Sequence, residues 1–453
     1  MHGRTVSSWV GAMVVLSAMF GGVLLFSGSA AAASTGCTVA VAGENVGDNA
    51  LQVAIDHAAP GATICVAAGT YPEQLTIATA NLRIVGAGAG MTIIAPTTGT
   101  VNARSYDSGN PLIAVVLVDN ASGVVLKGLT VNAAGAASSI TGCLPGIVGV
   151  EFQNVSTGKL TNSLVENAIL APNLLGCQSQ IGVFAYTGYY GTNHTLVHST
   201  VTITGTTVSA YGKGGIVCSD PGLTCIVTSD RVVGIGTTPA IAANGIQIGF
   251  GAVGTVKGDR VSGNAYNGTN GDAATVADDN DWYGNGSSAT GILLYQAGAG
   301  TRVAGCTVTN NQLGIAGYQD ALDRIVGNSV TNSLAYGIAE YGTPTTVAYI
   351  TGNTIANPVT GAVGVLVANG TFYVTGNAIS WVLDSGDQGA SQAVTGPGTV
   401  YPALAPLEIA TAAVQAVSDG GATVVHLHGN LEVRISSRIA VLSVFGGTVT
   451  VAR

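Results

Sequence analysis

Basic residues are scarce in this chain, as is charge in general. Lys and Arg together number 14 in 453 residues, only 8% of the residues are charged, and the formal net charge at pH 7 is -9. Proteins that bind nucleic acid neutralise its phosphates with clustered Lys and Arg, and the sequence contains no such cluster. The composition therefore excludes nucleic acid as an expected partner and favours an exported protein with an acidic surface.

Long apolar runs are also rare. The only stretch long enough to cross a bilayer is WVGAMVVLSAMFGGVLLF at 9–26, which follows Arg4 and precedes the small residues SGSAAAAS. This order is typical of a secretory signal peptide, so we expect residues 1–35 to be an export signal on a secreted or cell-surface protein. An uncleaved membrane anchor and lipidation at Cys37 are the alternatives, and no other membrane contact is expected.

Proline is modest, at 13 residues, whereas glycine is abundant, at 66. The glycines are spread through segments rich in Val, Ile and Thr, which is unlike a flexible linker. This composition is typical of many short strands joined by tight turns.

A short phrase recurs along the chain, as IVGNSVTN at 325–332, ITGNTIAN at 350–357 and VTGNAIS at 374–380. Weaker copies run upstream to LKGLTVN at 126–132, and each copy has Val or Ile two residues after one shared position. That position contains Leu129, Ser163, Ser199, Asp230, Asp259, Cys306, Asn328, Asn353 and Asn377. Gly and Asn tolerate the backbone of a tight corner, and stacked Asn side chains can hydrogen-bond between neighbouring repeats.

A second set of segments repeats in phase with the first. Each begins with Gly followed by Ile or Val, as in GVEF from 149, GILLYQ from 291, GIAGYQ from 314 and GIAEYG from 337. Near the end the repeat is 22 to 25 residues long, which fits three short strands and three turns. The pattern predicts an all-β fold, a parallel β-helix solenoid, over residues 36–385.

The ends of such a solenoid need protection, because terminal strands expose unpaired backbone groups. We expect a short N-terminal capping helix, with Asp48 or Asn49 as its cap and Leu51, Ala54, Ile55 and Ala58 on its buried face. Residues 386–406 are interpreted as a linker, and residues 407–453 as a C-terminal β capping segment.

Seven cysteines in an exported chain predict disulfides and one unpaired thiol. Cys143 and Cys177 are 34 residues apart, which equals the local repeat, so we expect them to face each other across neighbouring coils. We also expect the pairs Cys218–Cys225 and Cys37–Cys65. Cys306 occupies the corner position and is expected to be buried and free.

The segment GATICVAAGTYPEQLTI, followed by NLRIVGAGAGMTII, resembles the opening of the pectin-lyase-like superfamily of right-handed parallel β-helices. The resemblance covers residues 45–385 and implies that fold. It also implies contact with polysaccharide or cell-wall glycan, and for an enzyme it implies a polysaccharide lyase, a glycosidase or a carbohydrate esterase. Polygalacturonase and pectate lyase motifs are absent, apart from the pair Asp278–Asp279.

One motif is similar to a pectin methylesterase motif, namely GYQDAL at 317–322. That resemblance implies that Gln319 stabilises an oxyanion and that Asp320 is the general acid and base. Glu340 stands where the family has its nucleophilic carboxylate. However, the repeat places Asp320 in a turn and predicts that Glu340 points inward with Ile338, so a chance match within the repeat is the alternative.

Two further groups are candidates for ligand binding. Tyr295, Tyr318 and Tyr341, with Tyr186 upstream, share one position on the predicted outer face, where they would contact sugar rings or pack across coils. The long insertion at 265–289 contains Trp282 and Tyr283, as candidate glycan contacts, and Asp278, Asp279 and Asp281, as candidate calcium ligands. A solvated acidic loop is the alternative to calcium, and no other cofactor is expected.

The sequence therefore predicts an exported β-helix that binds or processes extracellular polysaccharide. The alternative is a non-catalytic surface, adhesion or structural protein on the same scaffold.

Overall fold

Each sequence repeat forms one coil of three short strands, so that the chain folds as the expected right-handed parallel β-helix. The structure is a computed structural model that describes residues 36–42, 49–105, 108–188, 198–268, 288–357, 363–368 and 370–381, with the backbone of five further strands between 412 and 452. These residues form three sheets of 14, 12 and 13 strands. The expected export signal (1–35) and linker (386–406) lie outside the described residues.

Sheet A contains the strands that lead into the Gly-Asn corners. Each strand pairs in parallel with its equivalent in the next coil, so that Ile325 is opposite Ile350 and Ile350 is opposite Val374. Numbered along the chain, the strands are β1 (Val39–Val41), β2 (Thr63–Val66), β5 (Arg83–Gly86), β9 (Val124–Lys127), β12 (Thr157–Thr161), β15 (Ser199–Thr204), β18 (Leu223–Thr228), β21 (Val253–Lys257), β24 (Thr301–Ala304), β27 (Leu322–Val326), β30 (Val347–Thr351), β33 (Thr371–Thr375), β36 (Thr423–His428) and β39 (Val449–Ala452).

Sheet B follows each corner directly, and many of its strands are only three residues long. They are β3 (Gly69–Tyr71), β6 (Thr92–Ile94), β10 (Thr130–Asn132), β13 (Leu164–Glu166), β16 (Thr207–Ser209), β19 (Arg231–Thr238), β22 (Arg260–Tyr266), β25 (Thr307–Thr309), β28 (Ser329–Thr331), β31 (Thr354–Asn357), β34 (Ala378–Trp381) and β37 (Leu431–Arg434).

Sheet C is built from the Gly-Ile and Gly-Val segments. Its parallel strands are β4 (Leu75–Ile77), β8 (Pro111–Asp119), β11 (Gly146–Gln153), β14 (Gln180–Tyr186), β17 (Gly214–Ser219), β20 (Asn244–Gly249), β23 (Thr290–Tyr295), β26 (Leu313–Tyr318), β29 (Tyr336–Tyr341), β32 (Val363–Ala368), β35 (Ala412–Val417) and β38 (Ala440–Phe445). β7 (Ala103–Arg104) pairs antiparallel with β8. The last five strands belong to the region expected to cap the solenoid, and they extend the three sheets in the same order.

The core is a set of aligned columns of β-branched side chains inside the solenoid. Its members on three successive coils are at most 1% exposed, and they are Ile325, Ile350 and Val374 in sheet A, Val330, Ile355 and Ile379 in sheet B, and Ile315, Ile338 and Val365 in sheet C. Branched side chains pack well on a pleated surface. Full burial of one such side chain stabilises the fold by roughly 1.5–3 kcal/mol.

The corner from sheet A to sheet B holds the predicted ladder. Gly352 occupies the left-handed region at φ 64°, which glycine adopts without strain. The next residue, Asn353, accepts a hydrogen bond from Asn328 N at 2.9 Å, and Asn377 Oδ1 accepts one from Asn353 N at 2.9 Å. Each side chain therefore ties its own coil to the preceding one.

One member of the predicted ladder is wrong. Ser199 begins β15 within sheet A, whereas the corner of that coil is Gly205 and Thr206. Gly205 has φ 61°, and Thr206 N donates to Asp230 Oδ1 at 2.6 Å. The alternating sequence STVTIT of β15 imitates the corner phrase, which explains the misalignment.

The N-terminal helix α1 (Ala50–Asp56) forms as expected and buries Leu51, Ala54 and Ile55. Its predicted cap is wrong for Asn49, whose side chain makes no capping hydrogen bond; Asp48 lies outside the described residues. Glu73 caps the helix instead, because its carboxylate accepts from Leu51 N at 3.0 Å and from Gln52 N at 2.7 Å.

The remaining helical segments are α2 (Ala134–Ser138) and a 3-10 turn at Pro172–Leu174. At 7 and 5 residues, the two α-helices in the described part of the chain are far too short to span a bilayer.

Three disulfides cross-link the described part of the solenoid. They join Cys37 to Cys65, Cys143 to Cys177, and Cys218 to Cys225, which are the pairs expected from the sequence. Cys306 is free and buried, also as expected. Stable disulfides are typical of proteins in oxidising compartments.

Candidate functional site: the outer face of sheet C and the corner beneath it

Three tyrosines form a row along the outer face of sheet C. Tyr295, Tyr318 and Tyr341 end β23, β26 and β29 and are opposite one another in the strand register. Their ring centroids are 5.1 and 5.4 Å apart, with interplanar angles of 12° and 11°. We call these three residues the tyrosine row.

The stacking determines which parts of the tyrosine rings can contact a ligand. Because each ring lies face to face with its neighbour, the faces within the row are used for packing across coils. The three rings are half-buried, and their hydroxyl groups are the polar atoms that they can offer to a ligand. The row therefore resembles a ladder of phenol hydroxyls at the spacing of the strands.

Glutamine amides border the row at the turn that leaves sheet C. Gln296 and Gln319 follow Tyr295 and Tyr318 and have positive φ values of 53° and 55°. Gln296 Nε2 donates to Gln319 Oε1 at 3.0 Å, and Gln319 Nε2 donates to Tyr318 Oη at 3.3 Å. Hydrogen bonds thus join Gln296, Gln319 and the Tyr318 hydroxyl group into a polar strip beside the row.

Three carboxyl groups meet on the inner side of the same turn. Asp320, Asp323 and Glu340 are 2%, 1% and 1% exposed, and one oxygen of each lies within 4.8 Å of the others. We call them the acidic corner. Gly317 leaves the room for it, since a Cβ at that position would lie 2.1 Å from Glu340 Oε2 and 2.6 Å from Asp320 Oδ2.

Burial governs the protonation of the acidic corner. Loss of solvent raises the pKa of all three carboxyl groups above their ordinary values. The neighbouring Asp323 carboxyl raises the pKa of Asp320 further, and Asp323 and Asp320 together do the same for Glu340. Asp320 Oδ1 accepts a hydrogen bond from Ala297 N at 2.6 Å, which opposes the rise in its own pKa.

The three residues to which the resemblance assigns catalytic roles do not share one side of the solenoid wall. Gln319 belongs to the outer polar strip, whereas Asp320 and Glu340 are inside, and Asp320 lies in a turn as the repeat predicted. Asp323 joins them and was missed. Its signal is the alternation in LDRIV, where Asp323 shares the inward side with Ile325. The catalytic roles of Asp320, Gln319 and Glu340 remain predictions.

A second row, on the outer face of sheet A, was also missed. Arg302, Arg324, Tyr349 and Tyr373 are successive partners in the strand register. Arg324 Cζ is 4.7 Å from the centre of the Tyr349 ring, and the rings of Tyr349 and Tyr373 stack at 4.8 Å. Alternation in VAYIT and TFYVT is the signal that identifies the outward tyrosines.

Tyr186 shares the register of the tyrosine row but is not part of its exposed surface. It is only 1% exposed, because its hydroxyl reaches beneath β7 and donates to Arg104 O at 2.9 Å. The same hydroxyl lies 2.9 Å from Glu151 Oε1, and burial raises the pKa of Glu151 to about 8. The predicted ligands of the long insertion, Asp278, Asp279, Asp281, Trp282 and Tyr283, lie outside the described residues.

The chain is similar to several solved structures. The A-module of the mannuronan C-5 epimerase AlgE6 of Azotobacter vinelandii is similar at 15% identity and a TM-score of 0.51, over 89% of this chain and 93% of that one. The AlgE4 A-module of the same organism is similar at 14% identity and a TM-score of 0.52, over 89% and 95%. A GH87 α-1,3-glucanase catalytic domain gives 12% identity and a TM-score of 0.48, over 86% and 63%.

No family model matches the chain, and no curated protein matches it. At 14–15% identity the two epimerase modules show a shared fold, and the expected right-handed parallel β-helix is confirmed. The methylesterase resemblance is not tested by these findings and stays a prediction.

Proposed function

We propose that the protein is exported and binds an extracellular polysaccharide along the outer face of sheet C. The observation that carries this proposal is the tyrosine row with its glutamine border, a strip of regularly spaced hydroxyl and amide groups on a rigid scaffold. A linear polymer repeats the same hydroxyl groups along its length. A periodic protein strip can bind such a polymer through many equivalent hydrogen bonds.

Two further observations support the proposal. The disulfides fit an oxidising compartment, where extracellular glycans are found. The two epimerase modules of the same fold are, by name, proteins that act on the polysaccharide mannuronan. A shared fold does not determine function, so the proposal depends mainly on the tyrosine row and its glutamine border.

Tyr318 is the residue to change, because it stands in the middle of the row. Tyr318→Phe removes one hydroxyl and keeps the stacked ring, and Tyr318→Ala removes both. Loss of one productive hydrogen bond costs about 1 kcal/mol, so Tyr318→Phe should weaken binding roughly fivefold and Tyr318→Ala by at least tenfold. A screen of immobilised glycans with the full chain identifies a ligand, and affinity electrophoresis then measures the variants.

Tyr349→Ala is the matched control, since Tyr349 is a half-buried, stacked tyrosine on a different sheet. We expect it to bind like the wild type. Equal losses from Tyr349→Ala and Tyr318→Ala would place the binding surface elsewhere.

Processing of the bound polysaccharide is the second candidate function, and the meeting of Asp320 with Glu340 favours it. A carboxyl group that is 1–2% exposed must first become accessible before it can act on a polymer. Binding is therefore the function that the geometry supports better. If lyase, glycosidase or esterase activity is detected, Asp320→Ala should abolish it, and unchanged activity would remove Asp320 from the mechanism.

A further inference from the structure

The acidic corner contains more unpaired oxygen atoms than a folded interior normally tolerates. Asp320 Oδ2, both carboxylate oxygens of Asp323 and Glu340 Oε1 are buried and accept no hydrogen bond of ordinary geometry, although the Asp323 and Glu340 carboxyl groups lie close enough to share a proton. Buried polar groups are nearly always paired, and each that is not costs roughly 1–3 kcal/mol. Four such atoms at one place point to a partner that satisfies them together.

The described protein around the corner supplies no positive charge to this site. Asp323 is flanked in the register by Thr301 and Ala348, and Glu340 is flanked by Gly317 and Val367. The nearest arginine in sequence, Arg324, is exposed and lies over the Tyr349 ring on the outer face. The carboxyls must therefore be neutralised by protons or by a bound cation.

The geometry suits a cation of calcium size. Calcium takes oxygen ligands at about 2.3–2.6 Å, so ligand atoms on opposite sides of the ion are separated by roughly twice that distance. One oxygen of each carboxyl group of the acidic corner lies within 4.8 Å of the others, a separation that a calcium ion can bridge. Magnesium retains several waters when it binds to proteins, whereas these three carboxyl groups are only 1–2% exposed.

Gly317 is the second feature of a built site. A methyl group there would overlap the oxygens of both Glu340 and Asp320. Because Gly317 has no side chain, the carboxyl groups of Glu340 and Asp320 occupy the space beside the backbone of β26 that any other residue type would fill.

We propose that Asp320, Asp323 and Glu340 bind a single calcium ion inside the solenoid, at the corner where sheet C passes into sheet A. The ion would connect β27 and its preceding turn to β29, and so join two successive coils where the Asn ladder does not reach. This site is distinct from the acidic insertion at Asp278, Asp279 and Asp281. It also does not depend on the polysaccharide proposal, because its role is to hold the scaffold.

The test measures bound metal on the full chain. The protein is refolded or expressed with calcium, passed through a desalting column and analysed for metal content, and its thermal midpoint is then measured with calcium and with a chelator. We expect one retained calcium per chain and a midpoint that falls when the chelator is present. Asp279→Asn, in the insertion, should retain the ion, whereas Asp323→Asn and Glu340→Gln should lose it.

Each outcome decides the proposal. Wild-type protein without bound calcium, and with the same midpoint in both conditions, would mean that protons alone neutralise the corner. Loss of the ion in Asp279→Asn, with retention in Asp323→Asn, would assign it to the insertion. If Asp323→Asn and Glu340→Gln do not fold, the metal content of Asp279→Asn decides the proposal. Calcium retained by this variant supports the acidic corner, and calcium lost from it overturns the proposal.

Discussion

Replacement of Asn353 by alanine tests the corner ladder at its centre. The Asn353 side chain is 1% exposed and makes four hydrogen bonds. Its Oδ1 accepts from Asn328 N at 2.9 Å and from Asn328 Nδ2 at 3.0 Å. Its Nδ2 donates to Ile325 O at 2.9 Å and to Asn377 Oδ1 at 2.9 Å.

The expected loss follows from these contacts. A typical hydrogen bond contributes about 1 kcal/mol net, and a buried partner left unsatisfied costs more. Asn353→Ala should therefore reduce the free energy of unfolding by about 4 kcal/mol, since Asn328, Ile325 and Asn377 all keep buried groups with no replacement partner. Such a value is large for a single substitution.

The assay needs local resolution, because a solenoid unfolds in units that contact only their neighbours. Hydrogen exchange of the amides in β27, β30 and β33 reports the coils on either side of Asn353, and urea denaturation reports the whole molecule. Thr375→Ala is the control, since the Thr375 hydroxyl makes one partly exposed contact with Thr351 Oγ1 at 3.3 Å. If Asn353→Ala costs no more than this control, the ladder does not hold the coils together.

Three further predictions concern buried groups elsewhere. The Cys306 thiol is 1% exposed and burial raises its pKa to about 12, so it should react with a thiol reagent only after denaturation; rapid labelling of native protein would contradict this. Burial raises the pKa of Asp259 to about 8, so the native state holds a proton that the unfolded chain has already released above pH 4. The free energy of unfolding should thus decrease as the pH rises from about 4 to about 8, by up to about 1.4 kcal/mol per pH unit. Asp259→Asn should remove this contribution, and parallel stability-versus-pH profiles for the variant and the wild type would refute the prediction. Glu73→Ala should destabilise α1 by about 2 kcal/mol, because Leu51 N and Gln52 N lose their acceptor, and limited proteolysis near the N-terminus should accelerate; an unchanged cleavage rate would show that the cap contributes little.

Features that repeat along the chain were predictable from the sequence. The columns of Ile and Val, the Gly-Asn corners and the disulfide between Cys143 and Cys177 all follow from one period, because equivalent residues of a solenoid stack directly. The outward position of the tyrosine row followed from strand alternation alone. The prediction of the ladder failed in one coil, where Ser199 was assigned to the corner position that Thr206 occupies. That corner lacks asparagine, and the sequence of the preceding strand β15 is similar to the repeated corner sequence.

Features that depend on contacts between different parts of the coil were not predictable. Glu73 caps α1 across 22 residues of sequence, and no local pattern connects the two. Strand alternation places Glu340 and Asp323 on the inward side, but it does not show that they meet. Only the closure of the corner brings them together with Asp320 beside Gly317.

The most direct test of polysaccharide binding is the dependence of affinity on ligand length. Calorimetric titration of the full chain with oligosaccharides of increasing length, cut from the polymer found in the glycan screen, should show affinity rising until the tyrosine row is covered and then reaching a plateau. Tyr318→Phe should lower that plateau and leave the shortest fragments nearly unaffected. Affinity that is independent of length, or a plateau that Tyr318→Phe leaves unchanged, would contradict binding along the row.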